Sequence, residues 1–197
     1  MVAPGFELVF VARHGETEWN RLGRRQGQLD SPLTEDGLAQ ARQVAAVVSG
    51  LPVDGVFSSP LGRATATAGP CAEKLGMPVT IIEELAEVNH GQMAGLTSSE
   101  IERDFPGEMA RRAADKYGWC FPGGESYAEV DRCSAVALWR IATYGVLRPL
   151  LVSHEMIGRM LLRNLLEVDP EVALTWSHPH DVIYRVDVAD RILSRVS

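Results

Sequence analysis

A histidine and an arginine that could handle phosphate stand at the end of the first apolar run of this chain. Residues 8–12 are apolar without alternation, which is typical of a buried strand, and Arg13-His14-Gly15-Glu16 follow directly. In open α/β sheets, ligands bind at the carboxyl ends of the strands. A histidine placed there can attack a phosphoryl group while an arginine neutralises the phosphate oxygens. The adjacent glycine would let backbone approach a ligand closely.

Two later strands should bring similar residues to the same edge. A strand predicted over 53–58 is followed by Arg63 in the first turn of a helix. A cation there costs about 0.3–1 kcal/mol against the helix dipole, and a bound anion would offset that cost. The apolar strand 149–153 ends directly in His154. A surface arginine and a core histidine are the ordinary alternatives, but two histidines at one sheet edge are hard to attribute to coincidence.

Glu87 is the candidate for a proton donor. A carboxylic acid near the phosphate could protonate the leaving oxygen of an ester. Glu83 and Glu84 show that acidic residues are common in this stretch, so a solvated carboxylate is the alternative.

The elements that must position these residues alternate between strand and helix. The predicted strands cover 8–12, 53–58, 78–82, 149–153 and 182–188, with 191–196 as the second arm of a hairpin. The intervening helices are predicted after Thr34, over 61–75, from Ser126 onward and over 156–166, whereas 16–30 should be a polar loop. A β-α-β-α-β series predicts an α/β fold with a mostly parallel sheet and right-handed crossovers.

The chain is long enough for one domain, 1–197, with an insertion. Thr97-Ser98-Ser99-Glu100 has the pattern of a capping box, and Pro106-Gly107 should interrupt the helix that it starts. Residues 91–124, called the cap segment below, break the regular alternation, and we expect them to form a short helical cap over the site.

Composition excludes several function classes. The net charge of −7 argues against general binding of nucleic acid, which needs a basic face. No apolar stretch approaches the length of a membrane span, and residues 1–5 show no basic region before an apolar run, so we expect neither a membrane anchor nor a signal peptide. The cysteines at 71, 120 and 133 form no Cys-x-x-Cys, which predicts no zinc site and reduced thiols in a cytoplasmic protein.

Taken together, these motifs resemble the histidine phosphatase superfamily, also called the phosphoglycerate mutase-like superfamily. The matching segments occur in the family's order over nearly the whole chain: Arg13 to Asn20, Gln26-Gly27, Asp30 to Gly37, Ser58 to Ala68, Glu87 to Gly95, Pro122 to Ser126, and Val152-Ser153-His154. The resemblance implies a three-layer α/β/α fold with a mostly parallel central sheet.

The resemblance also implies residue roles. His14 is the expected nucleophile, Glu87 the expected proton donor and then the base for water. The residues expected to hold the phosphoryl group are Arg13, Asn20, Arg63 and His154. Neither a metal nor another cofactor is implied. The expected partner is a small phosphorylated substrate, and a homodimer is common among related proteins.

Specificity should depend on the mouth of the site. Glu155 follows His154 where the family usually has glycine, and its carboxylate would lie near the phosphate or cap the following helix. The candidate substrate-binding residues are Gln26, Gly27, Arg111, Arg112 and Glu155.

The leading expectation is a phosphatase for a small phosphomonoester that works through a phosphohistidine. A cofactor-dependent phosphoglycerate mutase is the alternative, because Arg111-Arg112 resemble the paired arginines of those isomerases. A solvated helix face is the ordinary explanation of that pair. A phosphate-binding module without activity is a third alternative, although the nucleophile and the acid are both present.

Overall fold

A six-stranded sheet is the framework of the computed structural model, which describes residues 5–196; the segment on which the signal-peptide prediction rests lies outside that range except for Gly5. The strands are β1 (Leu8–Arg13), β2 (Gly55–Ser58), β3 (Val79–Ile81), β4 (Pro149–Ser153), β5 (Ile183–Asp187) and β6 (Ile192–Val196). The helices are α1 (Glu18–Arg21), α2 (Glu35–Val48), α3 (Gly62–Leu75), α4 (Ser98–Asp104), α5 (Glu108–Ala114), α6 (Tyr127–Ala142), α7 (Glu155–Leu166) and α8 (Pro170–Ala173).

The sheet is mostly parallel, as predicted. Its order is β3-β2-β4-β1-β5-β6; β4 pairs in parallel with β1 and β2, β3 pairs in parallel with β2, and β5 and β6 are antiparallel. In this register Arg13 is opposite Ser153, and Ser58 is opposite Val152. The carboxyl ends of three strands therefore meet at one edge.

Two apolar layers cover the two faces of the sheet. Because side chains alternate along a strand, Val9 and Val11 of β1 pack into the cluster that α6 and α7 supply, whereas Phe10 and Ala12 pack into the cluster of α2 and α3. This confirms the three-layer α/β/α fold.

Local sequence signals define the helix ends. Thr97 and Ser126 form the predicted capping boxes, in which each hydroxyl accepts from the backbone N–H three residues on. The α3 helix ends at Gly76, whose φ of 65° places it in the left-handed region that favours glycine.

Several local predictions need correction. Leu38, predicted on the buried face of α2, is exposed, because the buried line of that helix runs one residue away through Gly37 and Ala41. Tyr144, predicted in the apolar stripe of α6, lies beyond the end of that helix and is exposed. The helix α1 lies inside the segment predicted as a polar loop, where Thr17 caps it.

The cap segment 91–124 holds a 3₁₀ turn (Gly91–Met93) and helices α4 and α5. Its apolar side chains, including Met93, Ile101 and Phe121, are buried in the same cluster as Val9. The backbone N–H of Arg25 donates to Leu96 O at 3.0 Å and its carbonyl accepts from Gly95 N at 2.7 Å. The cap segment is therefore tied to the loop after β1.

Candidate active site

His14 lies at the centre of the edge where β1, β2 and β4 end, and its ring is almost fully buried. Its Nδ1 is 2.7 Å from its neighbour's carbonyl, Gly15 O, which can only accept a hydrogen bond. Nδ1 therefore carries the proton and Nε2 keeps its lone pair. Burial, with the charges of Arg13 and Arg63, lowers the pKa of His14 well below 6.5. The imidazole is neutral at pH 7, as a nucleophile must be.

The glycine beside this histidine serves packing. A Cβ on Gly15 would lie 2.3 Å from Gly37 O, and one on Gly37 would lie 2.0 Å from Glu16 O. The first turn of α2 thus contacts the loop after β1 backbone to backbone. The sequence correctly indicates a close approach at Gly15, but the approaching group is Gly37.

Arg63 points back from the start of α3 to His14. Its Nε donates to His14 Nε2 at 3.2 Å, its Nη1 to Asp30 Oδ1 at 3.0 Å and to Leu29 O at 2.7 Å, and its Nη2 to Gly27 O at 2.7 Å. The side chain is buried, so the surface alternative does not hold for it. Burial lowers its pKa, and Glu87 and Asp30 oppose that shift.

Arg13 completes the positive wall beside His14. Its Nη1 donates to His178 O at 3.0 Å and lies 3.3 Å from Glu155 Oε2, while its buried Nε has no partner among the described residues. Glu155 begins α7, and its carboxylate also accepts from Arg159. The carboxylate of Glu155 lies beside the site and pairs with two arginines, so it does not cap α7, which has no side-chain cap of its own within residues 5–196. Its contact with a phosphate stays a prediction.

His154 lies beside His14, with the two ring centroids 5.1 Å apart. It is fully buried, its Nε2 is 2.8 Å from Ser59 Oγ, and its Nδ1 has no partner among residues 5–196. Burial and the charge of Arg63 lower its pKa well below 6.5. It does not line the open cavity, so its contact with a phosphoryl group stays a prediction.

Glu87 sits on the amino end of α7. Its Oε1 accepts from Val88 N at 3.0 Å and Ile157 N at 3.2 Å, and its Oε2 accepts from Met156 N at 3.1 Å. These hydrogen bonds favour the carboxylate, but burial outweighs them and raises the pKa of Glu87 above 4.5. A carboxyl group held in this way can give and take a proton.

The cavity in front of His14 has a volume of about 330 Å³. Polar and charged side chains dominate its lining, which consists of Arg13, His14, Asn20, Arg24, Arg25, Gln26, Gly27, Arg63, Glu87, His90, Arg112, Lys116, Tyr127, Glu155, Met156 and Arg159. Asn20 reaches it from α1, where its Oδ1 accepts from Thr17 N at 3.1 Å.

The predicted arginine pair is split by the helix that carries it. Arg112 lines the cavity and donates to Tyr127 Oη at 2.7 Å. Arg111 is exposed, points away and pairs with Glu108 at 2.9 Å. The expectation that Arg111 binds substrate is therefore corrected, because adjacent residues on a helix face different directions.

Sequence reasoning missed the segment before β5. His180 Nδ1 is 2.6 Å from His14 O, and the carbonyl of His178 holds Arg13. Since β5 runs antiparallel to β1, its amino end lies at the carboxyl end of β1, which is the signal that could have placed both histidines. Burial lowers the pKa of His178 to about 3 and also that of His180 below 6.5.

Comparisons with known proteins identify the family of the chain. The sequence profile described as histidine phosphatase superfamily (branch 1) matches residues 9–192. The chain belongs to the histidine phosphatase superfamily. Within it, phosphoserine phosphatase 1 of Hydrogenobacter thermophilus is 36% identical over 122 residues, which span 62% of this chain and 58% of that enzyme. A Salmonella choleraesuis protein named probable phosphoglycerate mutase GpmB is 35% identical over 159 residues, 80% of this chain and 74% of that protein.

Solved structures of this superfamily share the fold. The mycobacterial glucosyl-3-phosphoglycerate phosphatase superposes with a TM-score of 0.81 at 28% identity and covers 91% of this chain and 92% of its own. The α-ribazole phosphatase of Shigella flexneri gives a TM-score of 0.85 at 23% identity, with 95% of this chain and 94% of that chain covered. The chain therefore belongs to a family of enzymes, and its relatives are named as phosphatases and probable phosphoglycerate mutases.

Residues 5–196 contain neither a metal-binding cluster nor a membrane-spanning helix. No group of three or more His, Cys, Asp or Glu side chains there is arranged to hold a metal ion. No helix in the same range is long and apolar enough to cross a membrane.

Proposed function

We propose that the protein is a phosphatase that hydrolyses a small phosphomonoester through a phosphohistidine on His14. The observation that carries the proposal is the state of that ring: Nδ1 donates to Gly15 O, which leaves the lone pair on Nε2, where Arg63 Nε donates to it at 3.2 Å. A neutral nucleophile next to fixed cations fits phosphoryl transfer, where charge neutralisation and positioning matter most.

In the first step, the Nε2 lone pair attacks phosphorus and the bond to the ester oxygen breaks. Glu87 gives its proton to that oxygen, so the product leaves as an alcohol. Arg13 and Arg63 neutralise the non-bridging oxygens, and Asn20 adds a hydrogen bond. Arg13 has a buried Nε free for this purpose, which supports the assignment.

In the second step, Glu87 takes a proton from water, whose oxygen attacks the phosphohistidine. The bond between phosphorus and Nε2 breaks, and orthophosphate leaves with His14 neutral again. None of these steps requires a metal ion, because the arginines supply the positive charge. His154, whose ring centroid lies 5.1 Å from that of His14, is proposed to contact a phosphoryl oxygen.

The direct test is orthophosphate release from a panel of small phosphomonoesters in the presence of EDTA. We expect release from at least one ester by the wild-type protein and none by the His14→Ala variant. Release that needs an added metal, or that continues unchanged in the variant, would contradict the proposal.

Phosphoglycerate mutase activity is the second candidate. Arg112 in the cavity could bind a substrate carboxylate, and the Salmonella choleraesuis relative is named as a mutase. We expect 3-phosphoglycerate with catalytic 2,3-bisphosphoglycerate to yield little 2-phosphoglycerate. Interconversion faster than phosphate release, and lost in Arg112→Ala but kept in Arg111→Ala, would favour the mutase.

A binding module without activity is the third alternative. The presence of His14 and Glu87 in the cavity supports an enzyme instead, with the pKa of His14 lowered and that of Glu87 raised. Orthophosphate release from the panel of esters would distinguish an enzyme from a binding module without activity.

A further inference from the structure

The cations that line the cavity fall into two groups. Those near His14 and along one wall are matched by carboxylates: Arg63 by Asp30, Arg24 by Glu100, and Arg13 and Arg159 by Glu155. Three others, Arg25, Arg112 and Lys116, have no carboxylate within 4.0 Å among residues 5–196, and we call them the unpaired cluster. An acidic protein of net charge −7 thus keeps uncompensated positive charge inside its cavity.

The geometry holds two members of the unpaired cluster in place. The backbone of Arg25 is tied to Gly95 and Leu96 of the cap segment. Arg112 donates to Tyr127 Oη, with its guanidinium carbon 5.4 Å from the centre of that ring. The Nε atoms of both arginines are buried without a partner. Two positioned guanidinium groups with unused donors make a site for anionic oxygens.

The free protein bears a cost for this arrangement. Burial lowers the pKa of Arg25, and the neighbouring charge of Arg112 lowers it further. The pKa of Lys116 is lowered by burial and by Arg159 and Arg112, although Glu155 and Glu171 oppose that shift, and its Nζ donates to Leu174 O at 3.1 Å. Like charges in a partly buried cavity repel one another, and clusters of this kind occur where a ligand relieves them.

The unpaired cluster is held by other segments than the catalytic pair of arginines. Arg25 is tied to the cap segment and Arg112 to Tyr127, whereas Asp30 holds Arg63 and Glu155 holds Arg13. The pKa of His90 is lowered to about 3 by burial, then by Arg25 and Arg112, whereas for His14 the largest charge effects come from Arg13 and Arg63. Arg63 acts on both rings, so the two groups are neighbours within one cavity of about 330 Å³. One phosphoryl group bound at His14 leaves the unpaired cluster uncompensated.

We propose that Arg25, Arg112 and Lys116 form a second anion-binding subsite, which selects small phosphomonoesters that carry a carboxylate or a second phosphate a short distance from the ester. This inference rests on the phosphatase function proposed above and deepens it. The ester phosphate binds at His14 and the second anion at the unpaired cluster, so that both ends of the substrate are held.

The test compares matched substrates. The first pair is 3-phosphoglycerate and glycerol 3-phosphate, which differ by the carboxylate; the second is propane-1,3-diol bisphosphate and its monophosphate. The measured quantity is the ratio of kcat/KM within each pair. We expect the doubly anionic member to be favoured by the wild-type protein, and the favoured pair distinguishes a carboxylate from a phosphate. A ratio near one for both pairs would overturn the proposal.

Variants then assign the effect to the unpaired cluster. Arg25→Met and Arg112→Met should each reduce the ratio by roughly 10- to 100-fold, the range expected for a lost charge-assisted hydrogen bond. Arg111→Met is the matched control, because that exposed neighbour points away, and its ratio should equal the wild-type value. Arg25→Lys keeps the charge and should retain most of the ratio, which excludes a general folding defect. Unchanged ratios in both methionine variants would overturn the subsite.

A binding experiment separates failure of the subsite from failure of the proposed function. Calorimetry on His14→Ala, which needs no turnover, should show 3-phosphoglycerate binding more tightly than glycerol 3-phosphate, and Arg25→Met in that background should remove the difference. Preferential binding without any hydrolysis by the wild-type protein would keep the subsite and overturn the phosphatase. Hydrolysis without preferential binding would keep the phosphatase function and overturn the subsite.

Discussion

The two ends of the cavity differ in how their cations are held. At the His14 end, Arg63 has four hydrogen-bond partners and Arg13 is shared between a carbonyl and Glu155. On the side of the cap segment, Arg25 and Lys116 have no carboxylate within 4.0 Å among the described residues. Groups that must meet a changing charge distribution gain from being fixed beforehand. Groups that only recognise a bound anion can stay uncompensated until it arrives. On the roles proposed above, the first group serves the reaction and the second serves substrate selection.

The His14→Ala substitution should have the largest effect on activity. We expect turnover to fall to the detection limit, because the proposed phosphohistidine forms on this ring. The melting temperature should change little, since the ring lies at a strand end. Quenching the wild-type reaction without acid, followed by peptide mapping, should place the phosphohistidine at His14. Full activity in the variant would show that chemistry does not reside at this end.

Glu87→Gln should give the next largest effect. The amide keeps size but cannot donate a proton at neutral pH, so turnover of an alkyl phosphate should fall by roughly 10²–10⁴. An aryl phosphate with a good leaving group should lose much less. Equal losses for both substrates would remove Glu87 from the role of general acid.

The pH profile gives an independent reading of the same pair. His14 must be neutral and Glu87 protonated in the free enzyme, so kcat/KM should fall below the lowered pKa of His14 and above the raised pKa of Glu87. Glu87→Gln should remove the alkaline limb and keep the acid limb. Persistence of both limbs in the variant would assign the alkaline limb to another group.

Asp30→Asn should have a smaller effect. Asp30 is half exposed and holds Arg63 through Nη1, but that arginine keeps its bonds to Gly27 O and Leu29 O. Because Arg63 keeps these two carbonyl partners, we expect kcat/KM to fall only a few-fold. The substrate ratio defined for the matched pairs should not change, because Asp30 is at the His14 end.

The Glu155→Gln substitution should have the smallest effect, and it concerns inhibition by orthophosphate. Removing its charge frees Arg13 from a competing carboxylate, so inhibition by orthophosphate should strengthen a few-fold. The measurement is the inhibition constant of phosphate at fixed pH. Weaker inhibition would mean that Glu155 positions Arg13 for phosphate instead of competing with it.

The sequence predicted the parts that depend on local pattern. The unbroken apolar run before Arg13 and the one before His154 each indicate a buried strand, and parallel pairing then places both histidines at one edge. Capping boxes at Thr97 and Ser126 predict helix starts for the same reason, since the residues that form them are neighbours in the chain.

The missed features depend on contacts between distant segments. Nothing near Arg25 in the sequence indicates that its side chain shares a cavity with Arg112. The split of Arg111 from Arg112 depends on the rotation of α5 against the core. The site role of His180 depends on β5 being antiparallel to β1, which the pattern of either strand alone does not show.

The chain has five histidines, at positions 14, 90, 154, 178 and 180, and burial lowers the pKa of every one. All five are neutral in the folded protein at pH 7. Above pH 6.5 the histidines of the unfolded chain are neutral too, so these rings add no pH dependence to the free energy of unfolding. Below pH 6.5 the unfolded chain takes up protons that the folded site refuses, which favours unfolding by at most about 1.4 kcal/mol per pH unit for each ring, while the raised pKa of Glu87 acts in the opposite direction. The burial that keeps His14 neutral is therefore expected to make the fold less stable in acid. Urea unfolding followed from pH 7 to pH 5 should show this as a steep loss of stability coupled to proton uptake.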